Sequence, residues 1–447
     1  MIDLHAPLAP EQASSKQPST PQSHLSMQLL PLSTHLHKVT ITVPEALATL
    51  LRTQTTELFR NASFEGFSTK AVPLDHIEQA YSSQIRGKVK QYFLQHLIID
   101  FIFAETFGQK LIVANYPRLT SVELQASNAI TYHFDLSVAD PIELKEWKHF
   151  AFKSPKRKKY KDLDKQVIGF VENRTSSKKI HPTLVEENDW VLIDALMVDD
   201  KGTVLSDQLQ SSFWIKIGHQ DVTPPLISQL LGKQLGNQFY TTDLEMNDGE
   251  DGYDRRSYRF LVTVRSLIKG THFSMEIFKN TFKLKNKPDI HNKLMEVFSY
   301  RNDISQRKAI IDEVFHLLLS KHRFEVPKHQ VLRREEYILH NLMSQPDYHV
   351  YKAQKDFDEC IQQLAEKQLK EEIIIDHITH HENLRVDVRD MQQYLHLLSN
   401  KRLKEFIYFR PLTERLDDAQ AMINLSPLAQ AVIREKTLNH IIYTLTH

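Results

Sequence analysis

The segment Gly66–Pro73 reads GFSTKAVP and joins two stretches with helical periodicity, 46–59 and 85–103. The glycine and the proline at its ends favour a tight, stiff turn. Between them lie an aromatic side chain, Phe67, and a cation, Lys70. A short loop that holds an aromatic ring and an ammonium group at the end of two helices is typical of a docking site. It offers no set of residues for catalysis.

The composition indicates a soluble protein of several domains. A chain of 447 residues is long enough for two or three separate cores. Its 56 basic and 56 acidic residues give zero formal net charge, so attraction to nucleic acid or to an anionic membrane must be local. Because Cys360 is the single cysteine, no intrachain disulfide can form, and a reducing compartment is favoured. We find no secretory signal and no bilayer-spanning run, and expect a cytoplasmic protein without a membrane partner.

Glycine usage divides the chain into units. Six of the eleven glycines fall between Gly202 and Gly252, and none follows Gly270. Glycine supplies the positive φ of tight turns and weakens helix interiors. This distribution predicts a turn-rich β unit followed by a long helical unit.

The predicted fold class is multidomain α+β. Residues 1–25, rich in Pro, Ser and Gln, are expected to form a disordered tail. A β-α-loop-α-β unit is expected over 26–152, a linker over 153–183, a small β unit over 184–269, and a mostly helical unit over 270–447. The basic run within the linker, KSPKRKKYK, has two interpretations. It is either a solvated connection, which we favour, or a stripe that contacts RNA phosphates.

Local patterns support these units. Alternation of apolar residues predicts strands, and proline before an amphipathic stretch predicts a helix start. The strands are expected at 38–43, 131–138, 190–197, 213–217 and 258–265, with helices opening after Pro44 and from Pro224 to Leu231.

The helical unit shows several apolar stripes at helical spacing. Cys360 lies on one stripe with Phe357, Ile361 and Leu364, and is therefore expected to be a core thiol. Candidate exposed apolar residues outside the stripes are Tyr348, Tyr351, Phe406 and Phe409. Among His377, His380 and His381, the first and last have the i, i+4 spacing that could hold a metal from one helix face. No carboxylate-histidine pattern with a third ligand lies nearby, so we expect no metal and no cofactor.

The tip and the order of units resemble the trigger factor family of bacterial ribosome-associated chaperones. The family's tip reads Gly-Phe-Arg-x-Gly-Lys-x-Pro, followed by an apolar residue and Gln-x-Tyr. The matching residues here are Gly66, Phe67, Pro73, Ile77, Gln79 and Tyr81. The resemblance covers the chain from about Met27. In two places the chain departs from the pattern: Ser68 stands where the family has Arg, and the Gly-Lys pair is replaced by Lys70-Ala71.

The resemblance implies docking at the exit of the ribosomal tunnel, on a protein of the large subunit and on nearby ribosomal RNA. The implied ribosome-binding residues are Phe64, Gly66, Phe67, Ser68, Lys70 and Pro73. Phe67 is suited to fill an apolar pocket as an anchor. Since serine cannot replace the several donors of an arginine, we expect ribosome binding that is weaker than in the family or that depends on altered partner residues.

The middle unit resembles the family's peptidyl-prolyl isomerase domain of the FK506-binding type. Catalysis there needs a dry aromatic cavity that favours the twisted amide over the planar one. The matching pocket candidates are Ala195, Phe213, Thr223 and Leu226. Of these, Ala195 and Leu226 replace phenylalanines and Thr223 replaces an isoleucine, while Phe213 and the adjacent Trp214 remain. The family's downstream Phe-Pro-x-x-Tyr loop is replaced by the acidic segment Glu245–Asp254. We therefore expect isomerase activity to be weak or lost.

Three functions follow as hypotheses. The first is a chaperone that binds nascent or unfolded polypeptides at the ribosome, as a monomer or weak homodimer. The second is a prolyl isomerase whose catalysis is its main role. The third is a helical scaffold that has lost ribosome binding and holds a dedicated partner.

Overall fold

The computed structural model of the chain describes residues 25–60, 64, 67, 71–124, 129–153, 155, 183–218, 222–242, 244, 257–269, 304–343, 347–398, 407–411 and 422–446. The predicted tail and linker lie almost entirely outside these residues, and the predicted domain limits stay predictions. Within the described residues the architecture is α+β, with two antiparallel sheets and a helical region, which confirms the predicted class.

The first sheet has the order β1-β2-β4-β3. Its strands are β1 (Ser26–Ser33), β2 (Leu36–Val43), β3 (Arg118–Leu124) and β4 (Ile130–Ser137). The predicted alternation in β2 is confirmed, because Val39, Ile41 and Val43 are all 0% exposed. The strands β1 and β3 were not predicted. They form the two edges of the sheet, where most side chains remain exposed.

Helices cover one face of this sheet. They are α1 (Glu45–Leu58), α2 (Leu74–Ala80), α3 (Ser82–Phe93) and α4 (Ile99–Gly108). A π-helical turn, Leu94–Ile98, joins α3 to α4. Pro44 precedes α1 as predicted. The helical stretch predicted over 85–103 is longer than expected, because α3, the π-helical turn and α4 together span 82–108. It is preceded by α2, so the tip connects α1 to α2.

The second sheet has the order β7-β8-β5-β6-β9. Its strands are β5 (Trp190–Val198), β6 (Gln210–Lys216), β7 (Gln238–Thr241), β8 (Arg259–Ile268) and β9 (Met422–Asn424). The helix α5 (Pro224–Leu230) packs against it. The strand β9 comes from the C-terminal part of the chain and pairs with β6, so the sheet is completed by residues far away in sequence.

The helical region contains six described helices. They are α6 (Ile304–Lys321), α7 (Lys328–Met343), α8 (Tyr348–Lys352), α9 (Phe357–His381), α10 (Val388–Leu398) and α11 (Leu425–Thr446). The stripe predicted on α6 is buried, with Val314 and Leu318 at 0% exposure. The same holds for Leu438 and Ile441 of α11.

Two predictions about this region are wrong. Cys360 is exposed, because α9 turns the i, i+4 series Phe357, Ile361, Ala365 and Leu369 into the core and leaves the cysteine outside it. Phe409 is 5% exposed and packs edge-on against Phe315 of α6. A short apolar pattern is compatible with burial of either of two adjacent helix faces. Only the packed structure shows which face is buried.

Candidate functional site

The tip presents Phe67 to solvent. Its side chain is 41% exposed, and its backbone N–H donates to the carbonyl of Phe64 at 3.3 Å. The Phe67 ring contacts the His76 ring of α2, with 5.3 Å between the centroids. A tight backbone turn and one ring contact thus hold an aromatic side chain at the surface.

Further rings connect the tip to its own small core. Phe64 lies 5.6 Å from His76 and 5.6 Å, edge to face, from Tyr81. Tyr81 in turn lies 4.8 Å from Phe59, which is 1% exposed. These five residues form the tip stack, which runs from the exposed Phe67 to the buried Phe59. Because aromatic contacts of this kind add about 0.5–1.5 kcal/mol per pair, the stack favours the observed position of the Phe67 ring.

Pro73 fixes the other end of the tip. It stands at the N-cap of α2, where its carbonyl accepts the N–H groups of His76 and Ile77 at 3.1 and 3.2 Å. Since proline has no N–H to leave unsatisfied, it suits this position. The other predicted tip residues, Gly66, Ser68 and Lys70, lie outside the described residues.

Charged residues near the tip are partly neutralised. Arg60, at the end of α1, pairs with Glu57 at 2.8 Å, and Arg52 of α1 pairs with Glu78 of α2. Such pairs at the surface contribute little to stability. Because these charges are paired, Phe67 is the prominent apolar feature of the described part of the tip.

The predicted pocket residues of the middle unit share one face of its sheet. In the register, Ile193 lies opposite Phe213, and Ala195 lies opposite Val262, so Ala195 and Phe213 point the same way. Ala195 is 0% exposed and Phe213 is 2% exposed. We call the face that carries these residues the pocket face. It is closed to solvent at these positions.

The helix α5 brings one more candidate to the pocket face. Leu226 is 1% exposed and belongs to the same core cluster as Ala195 and Phe213. Thr223 is the N-cap of α5, is half-buried and makes no side-chain capping bond. The acidic segment 245–254, which replaces the family's aromatic loop, lies outside the described residues.

Trp214 does not belong to the pocket face. It lies opposite Leu192 on the other side of the sheet and packs with Trp190 and with Leu428 of α11. The expectation that it forms part of the pocket is therefore wrong, because neighbours along a strand point to opposite faces.

The histidines of α9 make other contacts. The Nε2 atom of His377 lies 3.0 Å from the carbonyl oxygen of Asp140, and the ring of His380 packs on Phe107. In the part of the chain that the structure describes, no group of three or more His, Cys, Asp or Glu side chains is placed to hold a metal ion. None of the described helices is both long and apolar enough to cross a membrane.

A family model described as "Bacterial trigger factor protein (TF)" matches residues 27–168, the stretch that contains the tip. A curated trigger factor from Geotalea daltonii is 22% identical over 417 residues, which cover 88% of this chain and 92% of that protein. A second, from Syntrophotalea carbinolica, is 20% identical and covers 78% of this chain. In sequence, the chain is therefore similar to trigger factors along most of its length.

A solved structure is also similar to this chain. Its title is "Promiscuous Substrate Recognition in Folding and Assembly Activities of the Trigger Factor Chaperone". The alignment covers 94% of this chain and 99% of that one, with 14% identity and a TM-score of 0.34.

Sequence reasoning missed residues on both candidate surfaces of this chain. His76 was not singled out at the tip, although its position three residues after Pro73 places it in the first turn of a helix. Tyr92 was not linked to the middle unit, yet it lies in the same core cluster as the pocket face. No local sequence signal identifies this contact.

Proposed function

We propose that this chain is a cytoplasmic, ribosome-associated chaperone that binds nascent polypeptides and carries a degenerate prolyl isomerase unit. The single observation that carries the proposal is the exposure of Phe67 on the tip stack. An aromatic side chain that is 41% exposed and held by contacts with neighbouring rings is a suitable anchor for a pocket on another molecule.

The ring contacts of Phe67 support docking. Ordering a flexible loop on binding costs free energy for every side chain that is immobilised. The tip stack and the N-cap at Pro73 limit that cost, because Phe67 is already held in place before contact. Because Ser68 stands where the family has an arginine, the apolar contact of Phe67 must contribute more of the binding free energy.

Exposed apolar residues of the helical region support client binding. Where α7 ends and α8 begins, Met343, Val350 and Tyr351 are 63%, 66% and 45% exposed. Exposed apolar residues close together at one end of a domain are typical of interaction surfaces. Methionine and tyrosine also adapt to varied apolar partners, which suits a chaperone with many clients.

The pocket face supports weak or absent isomerase activity. Two of the family's aromatic pocket residues are replaced by Ala195 and Leu226, and both are buried against their own core. A wall of small or aliphatic side chains offers less contact to the twisted prolyl amide. Catalysis by preferential binding of that form falls accordingly.

The proposal is tested by co-sedimentation of the purified chain with large and small ribosomal subunits at increasing salt. We expect binding to the large subunit only, with an affinity that decreases as salt rises. Equal binding to both subunits, or none, would contradict ribosome association and favour the scaffold hypothesis.

A second measurement separates the chaperone from the isomerase hypothesis. In one assay the chain is added to an aggregating unfolded protein, and in another to a protein whose refolding is limited by proline isomerisation. We expect aggregation to be suppressed and refolding to be accelerated little. Strong acceleration of refolding would favour catalysis as the main role.

A further inference from the structure

A groove lies where α2 meets α3, next to the tip, and has a volume of about 630 Å³. Its polar lining consists of Gln79, Ser82, Ser83, Gln84, Arg86 and Lys90, and two small residues, Ala80 and Gly87, complete it. Every charged side chain among these lining residues is basic. We call this feature the α3 groove.

The two cations of the α3 groove lie on one face of the helix. Arg86 and Lys90 are four residues apart, a spacing that makes side chains neighbours on a helix surface. In the described part of the chain no carboxylate lies within 4.0 Å of either cationic group. Like charges at this spacing weaken a helix slightly, so the stability of α3 does not explain their placement.

Between the two cations lies Gly87, which packing does not explain either. The residue is in the interior of α3, where glycine destabilises a helix relative to alanine. Its φ is not positive, and a Cβ added at this position would meet no atom within 4 Å. The fold therefore has room for a side chain at Gly87. What the glycine provides is access, since the backbone of another molecule can approach the helix closely there.

The α3 groove is already formed in the isolated chain. The Nη2 atom of Arg86 donates to the hydroxyl oxygen of Ser82 at 2.5 Å, which orients the guanidinium along the helix. The carbonyl oxygen of Lys90 accepts from the hydroxyl of Tyr132 at 2.8 Å, and this tyrosine is completely buried in β4. Tyr81 of the tip stack is the N-cap of α3. From there to Arg86 the helix rises by roughly 8 Å, so the groove continues the surface of the tip.

The lining suits a phosphodiester backbone better than a protein surface. Phosphate and sugar oxygens are bound by Arg and Lys together with Ser and Gln side chains, which is the set present here. A protein partner would be expected to insert an apolar anchor, but Ala80 is the one apolar side chain of the lining. Hydroxyl and amide groups both donate and accept hydrogen bonds, so they also suit the 2′-hydroxyl that distinguishes RNA from DNA.

We propose that the α3 groove binds the phosphate backbone of RNA through Arg86 and Lys90, and that Gly87 lets this backbone approach the helix. The proposal deepens the proposed function, on which it rests for the source of the RNA, because it adds a polar contact beside the Phe67 anchor. The chain has zero formal net charge, so the attraction is local to this groove.

The first experiment measures binding of a fluorescent RNA hairpin to the full chain by anisotropy at several salt concentrations. We expect Arg86→Gln to weaken binding roughly fivefold at low salt and to reduce the slope of log affinity against log salt by about one, as for the loss of one phosphate contact. Lys90→Gln should have the same effect. The matched control is Arg389→Gln, at an exposed position of α10, for which we expect no change.

Three results of this experiment would overturn the proposal. The first is the absence of RNA binding by the unchanged chain, and the second is an equal effect of Arg86→Gln and Arg389→Gln. The third is displacement of the RNA by polyglutamate, or binding of the matching DNA hairpin, as effective as that of unlabelled RNA. That result would assign the groove to an acidic protein or to nucleic acid in general.

The second experiment separates binding from stability at Gly87. Gly87→Gln leaves the charge unchanged and favours the helix, so we expect the midpoint of thermal unfolding to be maintained or raised. The added side chain should nevertheless weaken binding of the RNA hairpin. Gly108→Gln, at the other exposed helical glycine with open space around it, is the matched control and should leave RNA binding unchanged. Unchanged RNA affinity of Gly87→Gln would contradict close approach at this position.

Both experiments use free RNA and are independent of ribosome docking through Phe67. Loss of hairpin binding in Arg86→Gln, with no co-sedimentation of the unchanged chain with ribosomal subunits, would contradict the proposed function and retain the RNA groove. Co-sedimentation without hairpin binding would do the reverse.

Discussion

Arg334 of α7 donates two hydrogen bonds to Glu372 of α9, at 2.7 and 2.9 Å, in a buried position. The same guanidinium donates to the carbonyl of Ala114 at 3.1 Å, in the segment before β3. Arg434 of α11 also pairs with Glu372, at 3.1 Å, and with Asp376 at 2.6 Å. These charges connect three helices of the helical region to the N-terminal unit.

Replacing Arg334 by methionine should destabilise the protein strongly. The change leaves Glu372 buried with one partner fewer, and breaking a buried pair from one side costs about 3–5 kcal/mol. The free energy of unfolding from urea titration is the measurement. Arg323→Met is the matched control, since Arg323 is exposed, and we expect it to change the free energy of unfolding by less than about 0.5 kcal/mol. A similar effect of both variants would contradict a structural role for the pair.

Glu371 should make the protein less stable as pH rises. Burial raises the pKa of its carboxyl to about 7, although the Tyr408 hydroxyl donates to it at 2.7 Å. Between about pH 4.5 and 7 the folded state therefore holds a proton that the unfolded chain has released. By linkage, the contribution of this group to stability falls across that interval, by about 3 kcal/mol.

The measurement for Glu371 is the midpoint of thermal unfolding at pH 5 and at pH 8. We expect Glu371→Gln to be more stable relative to the unchanged chain at pH 8 than at pH 5, because glutamine has no proton to lose. Glu366→Gln, at a half-exposed position of the same helix, serves as the control. A difference that does not depend on pH would contradict the raised pKa.

His96 should have the opposite effect in acid. Burial against Tyr92 and Phe213 lowers the pKa of its imidazole to about 4 from an ordinary value of 6.5. The unfolded chain therefore binds a proton first, and stability is lost as pH falls from about 6.5 to 4. His96→Asn should remove this part of the acid sensitivity in urea titrations from pH 7 to 4. An unchanged pH profile would contradict the buried, neutral imidazole.

Cys360 should react quickly with a thiol reagent in the folded protein. Its exposure on α9 predicts labelling by Ellman's reagent at a rate close to that of the urea-unfolded chain. A rate more than a hundredfold slower in the folded state would instead agree with the core position that the sequence pattern favours.

Local patterns predicted much of the fold. Alternation identified β2, β4, β5, β6 and β8, and proline placed the starts of α1 and α5 correctly. The edge strand β1 was missed because Pro31 and consecutive leucines interrupt its alternation. The strand β9 was missed because three residues are too short for a periodic signal.

The sequence was less informative about which surfaces meet. The hydrogen bond from Tyr92 to Leu209 joins residues 117 positions apart, and nothing near either residue indicates the other. Likewise, the helical periodicity around Cys360 did not determine which of two adjacent faces is buried. Long-range contacts depend on how whole units pack, whereas alternation and capping depend only on neighbours.

His76 should act as a positioning residue for the tip. Its ring contacts both Phe67 and Phe64, so His76→Ala should loosen Phe67 and weaken ribosome binding less than removal of Phe67 itself. His76→Phe, which keeps an aromatic ring, should restore binding. Affinity for large ribosomal subunits is the readout, and thermal unfolding checks that both variants are folded. Failure of His76→Phe to restore binding would contradict the ring contact as the cause.

The most direct test of ribosome docking is co-sedimentation of Phe67→Ala with large ribosomal subunits. Tyr351→Ala is the matched control, because this aromatic side chain is 45% exposed and lies on α8, away from the tip. The account predicts that Phe67→Ala lowers the affinity at least tenfold while Tyr351→Ala leaves it unchanged. Equal affinity of Phe67→Ala and the unchanged chain would contradict the tip as the anchor.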